Sequence, residues 1–297
     1  MTLNKLTLKD KKIFLPYLNL SRHELCVFSF ENIYIWKSLF DIRWQIIRDR
    51  LCVFFNDKIG CFMYLPPLGG PVSPELTQEV FSLMDGFNRN PDVSRIENIE
   101  EKDAQNYRKL GLVVREKYAD YLCLRSDLAG LAGNKFKSQR ASYNYFTKHY
   151  SFSCAEFSVK HIPGCRKLFN LWAKQRRGQH NDFVYLGMLQ DSGLVLEQIF
   201  SSYKKLDYQG IVVKTRNRVI GFTFGFKLNA DTFCIIYEIT DLSVKGLAQF
   251  IFRAFCQRLL DFKYINIMDD SGLENLKRTK LAYHPVRLIY GYIATRA

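Results

Sequence analysis

Three apolar runs separated by two short polar turns constrain this chain more than any other feature. Residues 210–215, 219–226 and 232–239 are rich in Val, Ile, Phe and Tyr, and the links 216–218 and 228–231 read Arg-Asn-Arg and Leu-Asn-Ala-Asp. Strand-length runs of β-branched and aromatic residues joined by such turns pair as antiparallel neighbours. An amphipathic helix over 244–260 follows, then a strand at 264–268, a short helix and a last strand at 287–293. A strand at 152–159 and helices at 165–175 and 193–203 precede the three runs.

The first half reads as a looser version of the same plan. Strands are expected at 26–30, 51–55, 59–64, 94–100 and 118–124, with a turn at Asn56, Asp57 and Lys58. Leu76, Val80, Leu83 and Met84 share one helical face after the Pro/Gly-rich break at 66–71, and a further helix covers 103–110. A basic helix at 135–150 joins the halves. The expectation is an α/β (α+β) chain with an N-terminal domain at 1–132, a bridging basic helix at 133–150 and a C-terminal domain at 151–297. Only the plan repeats; the residues do not.

Composition narrows the class. A hydrophobic content of 47% with 24% charged residues is that of a globular protein. No apolar run approaches the roughly 18 residues that span a bilayer, and the N-terminus carries no apolar leader, so a cytoplasmic location is expected. The eight cysteines include no C-x-x-C pair, which points to reduced, buried thiols and to no metal site. A net charge of +14 attracts polyanions. Lys135, Lys137, Arg140 and Lys148 are interleaved with Tyr143, Tyr145 and Phe146, a mixture able to hold nucleotides by charge and stacking.

The segment 266–285 concentrates the candidate chemistry. Asn266 closes a strand; Asp269, Asp270 and Ser271 stand where side-chain oxygens cap a helix; Lys277, Arg278 and Lys280 follow on that helix, and Tyr283 and Pro285 end it. The acids are either caps or catalytic carboxylates, and the bases either solvated or anion-binding. Glu238 and Asp241 end the third run just before the 244–260 helix, where a carboxylate serves as a base, binds an ammonium group or, for Asp241, caps the helix. His149, His161, His180 and His284 are scattered, and His180 in a polar connector is the best exposed of them. No cysteine has a base beside it in sequence, which argues against a covalent thiol mechanism.

The 266–285 segment resembles the C-terminal signature of the phosphatidylglycerol lysyltransferase C-terminal family. It keeps Asn266, Asp270, Gly272, Leu276, Lys280, Tyr283 and Pro285, and departs at Ile267, Met268, Asp269, Lys277 and Ala282. Arg140, Asn144 and Phe146 match a second family segment in which Ala141 replaces an Asn, and Glu238, Asp241, Lys245 and Gly246 match a third. The element order of the second half is also that of the GNAT acyltransferase fold. The resemblance implies two tandem GNAT-like domains, each a mixed, mostly antiparallel sheet flanked by helices. It implies transfer of an aminoacyl or acyl group to an amine or hydroxyl acceptor, a lipid among the candidates, with aminoacyl-tRNA as donor. In that reading Glu238 or Asp241 lies near the amine and Asp269 or Asp270 supports it. Lys280 and Arg278 hold phosphate or polarise the carbonyl, and Lys137 and Arg140 bind phosphate; Asn144, Asn266, Lys277 and Tyr283 belong to the same binding set.

Two alternatives stand beside it. A GNAT fold holds the coenzyme A pyrophosphate at a strand-to-helix junction, and Lys245, Gly246 and Ala248 occupy that position, with Ser243 where Arg or Gln is usual. An acyl-CoA-dependent N-acyltransferase acting on a small molecule or peptide is therefore one reading. A non-catalytic tRNA- or polyanion-binding protein on a transferase scaffold is the other, suggested by Ala141, Ile267 and Met268 in place of polar family residues. Without a membrane-embedded region, contact with anionic lipid is expected to be peripheral.

Overall fold

A computed structural model describes residues 3–178 and 182–297, and in it two copies of one element order follow each other along the chain. The first copy runs β1 (Asn4–Lys5), α1 (Lys11–Leu18), α2 (Phe30–Ile35), β2 (Asp41–Ile47), β3 (Arg50–Asn56), β4 (Cys61–Met63), α3 (Pro74–Phe87), β5 (Ile96–Glu100), α4 (Glu101–Lys109) and β6 (Val113–Leu124). Helices α5 (Arg125–Gly130) and α6 (Lys137–His149) follow. The second copy runs β7 (Ser153–Glu156), α7 (Ile162–Arg177), α8 (Phe183–Ser202), β8 (Tyr208–Thr215), β9 (Arg218–Lys227), β10 (Thr232–Thr240), α9 (Leu247–Arg258), β11 (Tyr264–Asn266), α10 (Glu274–Leu281) and β12 (Arg287–Thr295).

Contacts divide the chain into a unit of residues 1–120 with 289–297 and a unit of residues 121–288. The basic helix α6 thus lies inside the second unit rather than forming a bridge, and the end of β12 lies in the first. The final strand of each copy is used by the other: β12 pairs antiparallel with β5 (Gly291↔Glu100), and the end of β6 pairs antiparallel with β11 (Ile265↔Cys123). A strand closing its own repeat and one exchanged with a sister repeat carry the same alternation, so sequence cannot distinguish them.

Within each unit three antiparallel strands lead into one parallel pair. In the second unit β8–β9 and β9–β10 are antiparallel and β10–β11 is parallel; in the first, β2–β3 and β3–β4 are antiparallel and β4–β5 is parallel. A parallel neighbour needs a crossover helix, supplied by α9 and α3. Helix α3 starts where Ser73 accepts the Leu76 N–H and Pro74 takes the first helical position. Its buried stripe of Leu76, Val80, Phe81 and Met84 packs with Phe54, Met63 and Ile96. Helix α9 buries Leu247, Phe250, Ile251 and Phe255 with Ile211, Val213 and Phe233 of the sheet.

Three local expectations differ from the structure. Residues 26–30 form turns leading into α2 rather than a strand: the Cys26 N–H goes to the Asp120 carboxylate at 2.7 Å and the Phe28 N–H turns back to the Leu25 carbonyl. Their apolarity reflects burial, with Phe28 at 3% exposure, not pleating. Helix α8 begins ten residues earlier than expected, at Phe183 instead of 193, because Asp182 caps it by accepting the Val184 N–H at 2.7 Å. Strand β6 begins at Val113 instead of 118.

Candidate active site

The parallel pairing of β10 and β11 covers three residue pairs and ends at Cys234↔Asn266. Beyond it, residues 267 and 268 stay with β6, through Ile267 N–H to the Tyr121 carbonyl and Tyr121 N–H to the Met268 carbonyl. Strand β10 continues against β9 alone, and its register shifts between Ile235 and Tyr237, making Ile236 an extra residue. Such a bulge reverses the alternation of everything after it. Phe233 and Ile235 face α9 before the bulge, and Glu238 takes that face after it. Without Ile236 as an extra residue, Glu238 would point the other way.

Glu238 therefore enters an apolar layer. Its register partner across β9 is Thr223, whose neighbour across β8 is Ile211. Opposed residues in antiparallel strands stand on one face about 5 Å apart at Cβ. Among the described residues, each carries a buried polar atom with no hydrogen-bond partner, Glu238 Oε2 and Thr223 Oγ1. Burial pushes the Glu238 carboxyl from 4.5 up to about 8. The Tyr283 phenol is also raised, first by burial and then by the nearby Glu238, Cys256 and Cys123. Two orphaned polar groups side by side in a packed core call for an explanation, and a polar substrate group is one.

The loop after β11 borders this layer. The Asn266 side chain accepts the Met268 N–H at 2.7 Å, and Met268, Ser271 and Gly272 all have positive φ (61°, 51° and 71°). Asp269 accepts the Ser271 N–H at 2.7 Å. Asp270, 8% exposed, accepts the Tyr121 hydroxyl at 2.5 Å and the Gly272 N–H at 2.9 Å. The Lys280 ammonium reaches back from α10 to the carbonyls of Ile267 (2.5 Å), Met268 (3.1 Å) and Asp269. The acids act here as loop-forming acceptors, and Lys280 is a clip on main-chain oxygens rather than an open phosphate ligand. Lys280→Met leaves those carbonyls without their charged donor. It is expected to destabilise the protein by about 2 kcal/mol, with hydrogen exchange of residues 267–272 rising first; unchanged protection there would remove the clip from the account.

The remaining candidates are distributed elsewhere in the second unit. Asp241, 1% exposed, has its carboxyl raised by burial but held below its ordinary value by two hydrogen bonds from Ser243, by Arg218 at 3.1 Å and by Gln175. Its Oδ2, like Glu238 Oε2, has no hydrogen bond among the described residues, but it faces the Arg218 guanidinium, whereas burial alone acts on the Glu238 carboxyl. Arg140 donates to the carbonyls of Leu131 and Gly133 (2.8 Å to the latter), again a main-chain clip rather than a phosphate ligand. Lys137, Asn144 and Lys245 are exposed, and Lys245 sits over the Tyr145 ring at 4.6 Å. Lys277 and Arg278 are exposed on α10, where Arg278 pairs with Glu274. Gly246, at φ 83°, places the position of a Cβ 2.1 Å from the Ser142 carbonyl of α6. Next to it, Ala248 is half-buried in the first turn of α9. The glycine answers to the approach of α6. His180 lies outside the described residues.

Cys123 and Cys256 are buried free thiols, as expected, whereas Thr223 was not anticipated from sequence. The available signal was a single hydroxyl in the otherwise apolar β9, flanked two residues away by Gly221 and Gly225.

The element order, with three antiparallel strands leading into one parallel pair in each unit, defines a tandem GNAT-like fold. A family model described as "Phosphatidylglycerol lysyltransferase, C-terminal" matches residues 19–295, and the chain belongs to that family of aminoacyl/acyl transferases. A conserved protein of unknown function from Bacteroides thetaiotaomicron is similar at a TM-score of 0.88 and 24% identity, over 100% of both chains. L-PGS from Bacillus licheniformis is similar at a TM-score of 0.68 and 16% identity, over 99% of this chain and 93% of that one. A tandem GNAT protein from the clavulanic acid biosynthesis pathway gives a TM-score of 0.56 at 9% identity, over 98% and 97%. No curated protein matches. Among the described residues, no helix is long and apolar enough to cross a membrane.

Proposed function

We propose that the protein transfers an aminoacyl group from aminoacyl-tRNA to an amine or hydroxyl acceptor, with Glu238 taking the acceptor's proton. The observation that carries the reading is the buried, partnerless Oε2 of Glu238 beside the orphaned Thr223 hydroxyl. An aminoacyl ester is already activated, so the transfer needs positioning and a proton acceptor rather than a covalent intermediate. The acceptor N–H or O–H would donate to Glu238, and the new bond would form at the ester carbonyl. The leaving tRNA hydroxyl takes up a proton as the old ester bond breaks. A carboxyl titrating near 8 is matched to this work, because a base close to the working pH both accepts and returns a proton readily.

The charge distribution supports an RNA donor. Residues 128–155 and 242–260 contain no Asp or Glu. These segments supply α6 and α9, which pack together through the Gly246–Ser142 approach. Their shared surface carries the exposed Lys137, Lys148 and Lys245, with Tyr145 stacked on His149 at 4.2 Å. Cations without intervening acids, next to exposed rings, match a phosphodiester backbone with accessible bases. A Lys137→Glu, Lys148→Glu double variant is expected to weaken tRNA binding more than tenfold near physiological salt. It should also lower the salt slope by about two contacts' worth. Filter-binding titrations between 50 and 200 mM salt, about the range over which such contacts are lost, read both. Unchanged affinity and slope would exclude this surface as the donor site.

A further inference from the structure

The first unit holds a linear relay of three side chains that the transfer chemistry does not use. Ser21 Oγ lies 3.1 Å from His23 Nε2, and His23 Nδ1 lies 2.8 Å from Glu100 Oε2. Ser21 is exposed, while His23 and Glu100 are only 9% and 7% exposed. Glu100 is the last residue of β5, the second strand of this unit's parallel pair, and the carboxyl end of such a strand is where α/β sheets place ligands.

The direction of each hydrogen bond follows from the surroundings. Glu100 accepts the Glu24 N–H at 3.0 Å and pairs with Lys102 at 2.8 Å. Burial raises its carboxyl, but the bonds from His23, Lys102 and Glu24 outweigh that and hold it below the ordinary value. An ionised carboxylate only accepts, so His23 Nδ1 carries the proton that it donates. In the neutral ring Nε2 is then an acceptor, and the Ser21 hydroxyl donates to it. The ring is fixed in this pose by stacking on Phe28, with centroids 4.0 Å apart and planes 2° from parallel. Lys102 also donates to the Arg22 carbonyl at 3.2 Å, tying the segment that carries Ser21 to the same anchor.

We infer that Ser21, His23 and Glu100 form a nucleophilic triad in the first unit that attacks activated esters. A hydroxyl, an imidazole base and a carboxylate that fixes its tautomer are the parts such chemistry requires, whatever their order in sequence. In the step, Ser21 Oγ bonds to the ester carbonyl carbon and its proton passes to His23 Nε2. The ester C–O bond breaks, and the leaving alkoxide takes that proton. Water then releases the acyl group from Ser21 by the same relay, leaving a carboxylic acid and the free alcohol. The ligand class is a small activated carboxylic ester, the same functional group as the aminoacyl ester but used at a separate site.

The test uses the full chain with a fluorophosphonate probe and p-nitrophenyl acetate. Peptide mapping should place the phosphonyl adduct on Ser21, and ester hydrolysis should show an initial burst. Ser21→Ala, a change at an exposed residue, should abolish the adduct and lower hydrolysis by at least about tenfold. Glu100→Gln should retain Ser21 but slow its labelling by a similar factor, and labelling in Glu238→Gln should match the parent, separating this site from the transfer site. Absence of an adduct on Ser21 in folded protein, or hydrolysis indifferent to Ser21→Ala, would reduce the cluster to a buried ion pair that anchors the 19–24 segment.

Discussion

Glu238→Gln should abolish transfer while making the protein more resistant to alkaline unfolding. The sign follows from the proton balance. Unfolded, the carboxyl titrates near 4.5; folded, burial raises it to about 8. Between those values the unfolded chain has released the proton and the folded chain has kept it. Stability therefore falls as pH rises from about 4.5 and reaches its full loss above about 8. Each tenfold change in proton affinity is worth about 1.4 kcal/mol, so the full loss is roughly 5 kcal/mol as an order of magnitude. Glutamine keeps the shape and cannot ionise. Urea midpoints at pH 5, 7 and 9 should converge for the two proteins at the acid end and separate at the alkaline end, with the variant higher. Parallel pH dependences would mean that Glu238 is not buried as described. Transfer should drop by about a hundredfold or more, and in the parent protein it should rise with pH through about 8 as the base ionises. A carboxyl retained at such a cost to stability is what a functional site requires.

Gly246→Ala should be the most destabilising single-methyl change in the second unit's helices. The residue sits at φ 83°, and the added carbon would lie 2.1 Å from a main-chain oxygen, Ser142 O, which cannot rotate away. The left-handed backbone costs an alanine about 1 kcal/mol, and overpacking adds about 1–3 kcal/mol. Helix α6 must shift as a body, so tRNA affinity should fall together with the melting temperature. Gly86→Ala on α3 is the control: its Cβ position meets nothing within 4 Å, and the change is expected to be neutral or slightly stabilising. If Gly246→Ala left stability intact and reduced only the binding of coenzyme A, the junction would be a phosphate cradle after all.

Much of the architecture was legible because periodicity and turn chemistry are local. The runs at 210–215, 219–226 and 232–239 became β8, β9 and β10, and the apolar stripe of α9 follows directly from its sequence. Residues 26–30 misled because a buried turn and a buried strand are equally apolar; the distinction lies in Asp120, 94 residues away, which takes the Cys26 N–H. Lys280 and Arg140 were visible as cations, and their positions on α10 and α6 were close to those expected. Their partners are main-chain carbonyls made available by positive-φ turns at Met268 and Leu131. A side-chain charge is written in sequence, but a convergent set of carbonyls is not.

The order of elements, the family signature at 266–285 and the acid-free basic segments are written in the residues themselves, since each depends on residue type and short-range spacing. That the last strand of each repeat pairs with a strand of the other repeat emerges from the three-dimensional pairing alone, because exchanged and unexchanged strands share one pattern. The tertiary structure also set the two candidate carboxyls apart. Glu238 and Asp241 are three residues apart and chemically alike. One extra residue in β10 turns Glu238 into an apolar layer beside Thr223, while Arg218 and Ser243 hold Asp241 ionised. Burial and partners, not identity, separate the two.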